Sequence, residues 1–446
     1  MSIIHWQRTV LALAAASLAS TAAQANIQIK YEVITGPPIS GQSVLKEFVD
    51  TIDAHSFQWG VGVGVGAPTG APGGARDVSA PSVSEIAWTY SFDSSYNQLS
   101  KAALSGGRYD TTYSFVNPNP GATNASWLTM QTGTSAISGL SISSGGDRPS
   151  VAVSQASRNF ELTYDPSKLG LAGSAVTVGY DSVTRTTTGS NSRVLPPPAA
   201  GSGNGSGIYM RLGDGPGAIF GDSTTRGYEN WINLSSFQMG LGIGLSPDGD
   251  GFSASIPSVS EVTVSRSFDG ASLAILANLL RGRVVGQATV EFVRSGPTGP
   301  VTYLQYELDN VIFSGLSISS GGDRPSESDS LNFSGFRQTA WEINTDGTRV
   351  EASSFHYDIG TLELTTDAAP AARSFAGFGP GLLSPVLDAT PVPEPQTWAL
   401  MVGGLALLAW RRGQRKSIVR GGSALIAVGH GRVPQRSDAG CESVAC

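Results

Sequence analysis

The chain has 446 residues, room for two to four domains at about 100–200 residues each. Only 14% are charged and 56 are glycine, a balance that excludes charge-driven disorder and favours strands joined by many turns. The formal net charge is −7, and basic residues crowd the stretch beyond Trp410. The body before it is therefore more acidic still, and nucleic acid is excluded as a natural partner.

At the N-terminus, Arg8 closes a short basic region, Val10 to Leu18 is apolar, and Ala23-Gln24-Ala25 supplies small residues before strand-like sequence begins at Ile27. This pattern predicts a secretory signal over residues 1–25, with signal peptidase cutting after Ala25. Both cysteines, Cys441 and Cys446, lie at the far end, so the body has no disulfide and no thiolate metal site to draw on.

The body is a tandem repeat. Ser138–Ser150 reads SGLSISSGGDRPS, and Ser314–Ser326 reads the same at an offset of 176. Pro81–Glu85 and Ser91-Phe92-Asp93 recur at that offset as Pro257–Glu261 and Ser267-Phe268-Asp269. Ser56-Phe57-Gln58 recurs as Ser236-Phe237-Gln238 at 180, which places four extra residues of copy one between Ala67 and Ala80. Copy one runs over 27–183 and copy two over 207–363. Between them, 184–206 holds Pro196-Pro197-Pro198 and Gly201–Ser206, a stiff turn followed by a flexible linker. Residues 364–390, rich in Ala, Gly and Pro, form a spacer.

Within a copy the pattern is mostly strand. Leu304, Tyr306 and Leu308, and again Leu316 and Ile318, alternate with other residues as half-buried strands do. One helix is predicted in each. In copy two, Asp269 is its candidate N-cap, Leu273, Leu276, Leu279 and Leu280 form the apolar face, and Gly282 stops it. In copy one the same places hold Asp93, Tyr96, Leu99, Ala103 and Gly106. The expected fold class is mainly β: two tandem β-barrel or sandwich domains, each with one short α-helix.

Copy two resembles the Hcp family, the ring-forming tube proteins of type VI secretion. Ile208-Tyr209-Met210, Gly221–Ile232, Ser320–Glu327 with Leu331-Asn332-Phe333, and Tyr357-Asp358 carry the resemblance. Copy one keeps Ser144–Ser150 and Gly179-Tyr180-Asp181, but its first loop, Gly41-Gln42-Ser43, has lost the Thr and the Trp. The resemblance implies a compact β-barrel with a flanking helix, six-membered rings, and a structural or carrier role without enzymatic activity. Two copies per chain then imply a homo-oligomer of three chains giving a six-domain ring.

The C-terminal region 391–416 holds Val392-Pro393-Glu394-Pro395, an apolar run from Trp398 to Trp410 and then Arg411-Arg412. The run is shorter than the roughly 20 residues that span a bilayer comfortably. Its order resembles the PEP-CTERM sorting signal. That implies recognition by an exosortase-type enzyme, a transient inner-membrane anchor, and delivery to the cell surface of a bacterium that makes exopolysaccharide. The sorting residues are then Pro393, Glu394, Pro395, Arg411 and Arg412. Residues 417–446 show no periodicity and receive no assignment.

Catalytic chemistry finds no constellation. His55 and His356 occupy unrelated places in the two copies, Glu85 and Glu261 are one carboxylate per copy, and Gly60–Gly66 lacks the Lys of a phosphate loop. No cofactor and no metal is expected. The repeated Ser-Gly-Gly-Asp-Arg-Pro loop reads as a shaped turn or as a contact between subunits through Asp147, Arg148, Asp323 and Arg324. The expected function is an exported structural or assembly protein of the surface or exopolysaccharide matrix. The alternatives are a type VI secretion tube component and an enzyme acting on matrix polysaccharide.

Overall fold

A computed structural model describes residues 27–366, apart from 69–74, 117–125, 147, 172, 190–204, 215–216, 250, 298 and 322–323. Copy one contains β1 (Ile27–Thr35), β2 (Ile52–Gly62), β3 (Ser82–Val83), β4 (Ile86–Ser91), α1 (Ser95–Ser105), β5 (Arg108–Val116), β6 (Ser126–Ser143), β7 (Ser150–Ala156), β8 (Asn159–Tyr164), β9 (Val176–Asp181) and β10 (Thr186–Gly189). Copy two repeats the order with β11 (Gly207–Leu212), β12 (Ile232–Leu234), β13 (Ser236–Gln238), β14 (Leu241–Gly242), β15 (Leu245–Asp248), β16 (Gly251–Ala254), β17 (Ser258–Val259), β18 (Val262–Ser267), α2 (Ser272–Leu280), β19 (Val284–Ser295), β20 (Pro300–Ser320), β21 (Ser326–Asn332), β22 (Gly335–Ile343), β23 (Arg349–Asp358) and β24 (Glu363–Thr366). The protein is mainly β, as the alternation predicts. Thr186–Gly189, in the expected linker, pairs with β9 and extends copy one's sheet.

Antiparallel pairing closes each copy on itself. In copy one the cycle runs β1–β2–β4–β7–β6–β5 and back to β1. In copy two β12 and β13 together take the place of β2. The long strands β6 and β20 reach beyond the cycle, and their first halves carry β8 and β22. Closure removes most of the edges that a small sheet would otherwise expose.

Both helices start after an aspartate, but not as simple N-caps. Asp93 Oδ1 accepts from the Ser95 amide and Asp269 Oδ1 from the Ala271 amide, each at 2.8 Å, so the carboxylate shapes the turn that feeds the helix. Gly106 (φ +64°) and Gly282 (φ +58°) end the helices in left-handed backbone that a side chain would strain. Every residue of α2 is buried, whereas α1 buries only Ser95, Leu99 and Ala102.

The two cores have diverged in a complementary way. In copy one, Gln155 is buried and its Oε1 accepts from the Tyr31 (2.8 Å) and Tyr113 (2.9 Å) hydroxyls. Its Nε2 donates to Thr111 (2.7 Å) and Ser135 (2.6 Å). Burial pushes both phenols well above their ordinary range, so they remain donors. Strand register places Leu212, Ala288, Val290, Val311 and Leu331 at the same five positions of copy two, and all five are buried hydrocarbon. Gln155→Leu therefore imports the residue of copy two without its surroundings. It leaves two buried hydroxyls without an acceptor and should cost at least about 2 kcal/mol in urea unfolding. The same change accompanied by Tyr31→Leu, Thr111→Ala, Tyr113→Val and Ser135→Val should recover most of that loss.

Candidate assembly interface

The two copies meet through backbone. Phe57–Gly62 of β2 pairs antiparallel with Gly315–Ser320 of β20, in the register Phe57↔Ser320 to Gly62↔Gly315. The Val63 amide extends the ladder to the Ser314 carbonyl at 2.8 Å. Glycine allows the approach, since a Cβ on Gly60 would lie 3.0 Å from the Leu316 oxygen. The pairing buries Trp59, Val61 and Val63 on one side and Leu316 and Ile318 on the other.

Beyond β2 the chain forms an arm that folds back to β3. The Gly60 amide donates to Ser84 Oγ and the Gly64 amide to Ser79 Oγ, both at 2.8 Å. From this arm Arg76 donates to Asn332 Oδ1 and to the Asn310 carbonyl of copy two. Asn332 Nδ2 also donates to Glu261 (3.1 Å), which accepts from the Ser314 hydroxyl at 2.7 Å. Glu261 is thus engaged at the joint. Val78 lies over Gly282, where a Cβ would come within 2.9 Å of Val78 Cγ1. On the return face Phe268, just before α2, packs its ring edge-on against Trp127 (6.2 Å between centroids) and Tyr164 (5.8 Å) of copy one. Arg281 Nη2 donates to the Gly189 carbonyl at 2.7 Å.

The repeated loop of copy two follows β20 at this joint, and both loops make the same contact within their own copy. Arg148 Nε donates to the Phe92 carbonyl at 2.8 Å, and Arg324 Nε to the Phe268 carbonyl at 2.6 Å. The amides of Phe92 and Phe268 donate to Pro149 and Pro325, each at 2.9 Å. The two repeated motifs, Ser-Phe-Asp and Asp-Arg-Pro, therefore clamp each other in both copies. A Cβ on Gly145, Gly146 or Gly321 would meet nothing within 4 Å, so the arginine clamp rather than glycine packing holds the loop. Asp147 and Asp323 lie outside the described residues, as do Ala23, Ala25, Pro393, Glu394, Pro395, Arg411 and Arg412.

Next to the clamp of copy two lies a buried ionic cluster. Arg266 has no exposed side-chain surface. It donates from Nε to Asp329 (2.8 Å), from Nη1 to Asp269 (2.7 Å) and from Nη2 to Glu327. Burial opposes its charge, and the three carboxylates outweigh that and hold it protonated. Burial pushes Glu327 well above the carboxyl range, with Asp329 adding to the rise and Arg266 opposing it. A proton on Glu327 lets it donate to Asp329, which serves Glu327 Oε2 and Asp329 Oδ1, two buried oxygens of the cluster otherwise without a partner. Copy one has Tyr90, Val151 and Val153 at the places of Arg266, Glu327 and Asp329, all buried. Comparison of the copies would have exposed the cluster, because Glu327 and Asp329 occupy inward positions of β21 where the period of two calls for apolar residues. Arg76 carried no such signal, since it falls where the copies differ in length.

Among the described residues no group of three or more His, Cys, Asp and Glu could hold a metal ion. No helix among them is long and apolar enough to cross a membrane, and the run Trp398–Trp410 lies outside them. His55 Nε2 sits 2.8 Å from Ser91 Oγ, and His356 Nε2 2.8 Å from Asp309 Oδ2, each bracing its own copy.

Fold and joint together define a tandem β-domain protein whose copies associate through sheet edges. The family model described as type VI secretion system effector, Hcp, matches residues 29–168 and 209–341. That is more than half of the chain, and the chain belongs to this family. A model of the PEP-CTERM protein-sorting motif matches residues 391–416, which indicates export through a sorting system with a transient membrane anchor recognised by an exosortase. Among solved structures, one described as a type six secretion system protein is 17% identical, covering 36% of this chain and 100% of its own at a TM-score of 0.33. Hcp1 from Salmonella typhimurium is 21% identical over 36% of this chain and 99% of its own, at 0.28. Hcp3 from Pseudomonas aeruginosa is 18% identical over 32% and 96%, at 0.24. No curated protein matches the chain.

Two measurements test the cluster. Arg266→Met alone leaves buried carboxylates uncompensated and should cost about 3–5 kcal/mol, while Arg266→Tyr with Glu327→Val and Asp329→Val, the solution of copy one, should be neutral or stabilising. Glu327 binds its proton more tightly when folded than the ordinary carboxyl value of about 4.3 allows, so its contribution is complete below that value and is lost as pH rises toward the folded one. Unfolding free energy should therefore fall with pH by up to about 1.4 kcal/mol per unit from this group, and Glu327→Gln should remove that slope.

Proposed function

We propose that this is an exported, non-enzymatic structural protein of the cell surface or exopolysaccharide matrix, in which three chains form a six-domain ring. One observation carries the reading: two Hcp-family regions, joined edge to edge, precede a sorting motif, and the sequence before them has the pattern of a secretory leader. Signal peptidase removes residues 1–25, an exosortase-type enzyme acts at Pro393-Glu394-Pro395, and Arg411-Arg412 hold the anchor on the cytoplasmic side. Arg148 and Arg324, both exposed, complete subunit contacts together with Asp147 and Asp323. A type VI secretion tube component is the second reading, favoured by the family match itself.

The surface protein should begin at Asn26 by N-terminal sequencing; a chain still starting at Met1 supports the tube reading. Pro393→Ala with Glu394→Ala and Pro395→Ala should leave the protein in the inner membrane on cell fractionation, and normal release would overturn the sorting role. Released protein should have the mass of three chains and six lobes by electron microscopy. A monomer at high concentration removes the ring.

A further inference from the structure

Copy two carries the same arm that copy one uses at the joint, built bond for bond. The Gly240 amide donates to Ser260 Oγ and the Gly244 amide to Ser255 Oγ, each at 2.8 Å, as Gly60 and Gly64 donate to Ser84 and Ser79. Ser260 and Ser255 hydroxyls then donate to the Glu261 and Ile256 carbonyls, as Ser84 and Ser79 do to Glu85 and Ala80. Yet the arm of copy one lies against copy two, with Val61 and Val63 buried and Val65, Arg76 and Val78 half-buried, whereas every described residue from Gly240 to Ser258 in copy two is exposed. Val63 is buried while its counterpart Ile243 is 48% exposed; Phe252 is 70% exposed and Ile256 68%.

The receiving edge is repeated as well. Gly139–Ser143 of β6 pairs with β7 on one side only, whereas the equivalent Gly315–Ser319 of β20 pairs with β21 and β2. Ile318 is buried there, and its counterpart Ile142 is 44% exposed. The return contact repeats too: Phe268 on Trp127 corresponds to Phe92 and Tyr303, both exposed aromatics.

We infer that the arm Gly240–Ser260 of one chain docks on the β6 edge of a second copy of this chain, Met239 taking the place of Trp59 and Leu241 that of Val61. The occupant is fixed by the internal joint, which seats the equivalent arm on the equivalent edge. A second exchange makes the two joints different. Inside the chain Arg76 meets Asn332; at the same places between chains Phe252 faces Ala156. A polar pair has become an apolar pair on both sides at once. Arg76 against Ala156 would lose one of its two acceptors, and Phe252 against Asn332 would cover an amide, so the copies alternate one-two-one-two. This deepens the proposed ring by naming the surfaces that meet. Mass reads the stoichiometry and cross-linking reads the joint, so either can fail without the other.

The test uses the full chain with Cys441→Ser and Cys446→Ser, which leaves no cysteine. Gln58→Cys with Ser319→Cys, register partners inside the chain, should form an internal disulfide that does not change mass on non-reducing electrophoresis. Gln238→Cys with Ser143→Cys, the equivalent pair, should give disulfide-linked dimers and larger multimers. Phe252→Arg in that background should cut cross-linking about tenfold or more, as loss of a central aromatic anchor does, and Ala156→Asn should restore it. Formation of the internal pair with no cross-link between chains would overturn the inference. Failure of the internal pair would overturn the joint from which it is drawn.

Discussion

The backbone pairing of Phe57–Gly62 with Gly315–Ser320 satisfies two sheet edges with one ladder. Much else in the molecule follows from it. Ile318 is a core residue with β2 beside it, whereas its counterpart Ile142 is exposed, and Phe268 meets Trp127 across the same joint. The helix α2 is buried on every side, and its counterpart α1 presents Leu104 to solvent. The asymmetry between the helices is thus a consequence of which neighbour is present, not of how each copy folds.

The cores show that one barrel can be filled in two ways. Copy one places amide and hydroxyl groups where copy two has hydrocarbon, and copy two places three ionisable groups, Arg266, Glu327 and Asp329, where copy one has Tyr90, Val151 and Val153. Each polar set is close to fully hydrogen-bonded, and each apolar set is free of polar atoms apart from the Tyr90 hydroxyl, which Ser95 meets at 3.3 Å. Mixed states between the two are penalised, because one partner removed from a buried network leaves the rest desolvated. Exchanging these residues between the copies therefore succeeds only in groups.

The repeat, the mainly β class and the position of both helices were legible from the sequence, because they rest on local signals: identical motifs, a period of two, and Asp and Gly at helix ends. What was not legible lies in pairing between distant segments. Nothing near Arg76 says that it reaches Asn332, 256 residues away, and the glycine alternation at Gly60, Gly62 and Gly64 reads as a Gly-rich strand and loop without saying which distant strand it pairs with. The clamp of Arg148 and Arg324 on Phe92 and Phe268 was half visible. Both motifs stood out as repeated, but only the closed barrel brings them together. The charged pair Glu327 and Asp329 broke the strand pattern openly, and the copy-to-copy substitution Val151 and Val153 marks it as a core exchange rather than an exposed face.

The two joints face different free-energy demands. Within the chain a covalent linker supplies the neighbour at an effective concentration on the order of millimolar, so the internal joint forms with little loss of translational freedom. A joint between chains bears that loss in full, about 4–15 kcal/mol. The residues differ in the direction this requires. Val61, Val63 and Val65 become Leu241, Ile243 and Leu245, each larger by one methylene, which adds about 0.8 kcal/mol per position on burial. Arg76 becomes Phe252, worth a further 1.5–3 kcal/mol or so when fully covered, while Val78 becomes Ala254 and gives back part of that gain. Together these offset part of the association cost, on top of a backbone ladder of the same design. The arm left exposed on copy two is therefore the more apolar of the two, as a surface that has to hold an untethered partner must be.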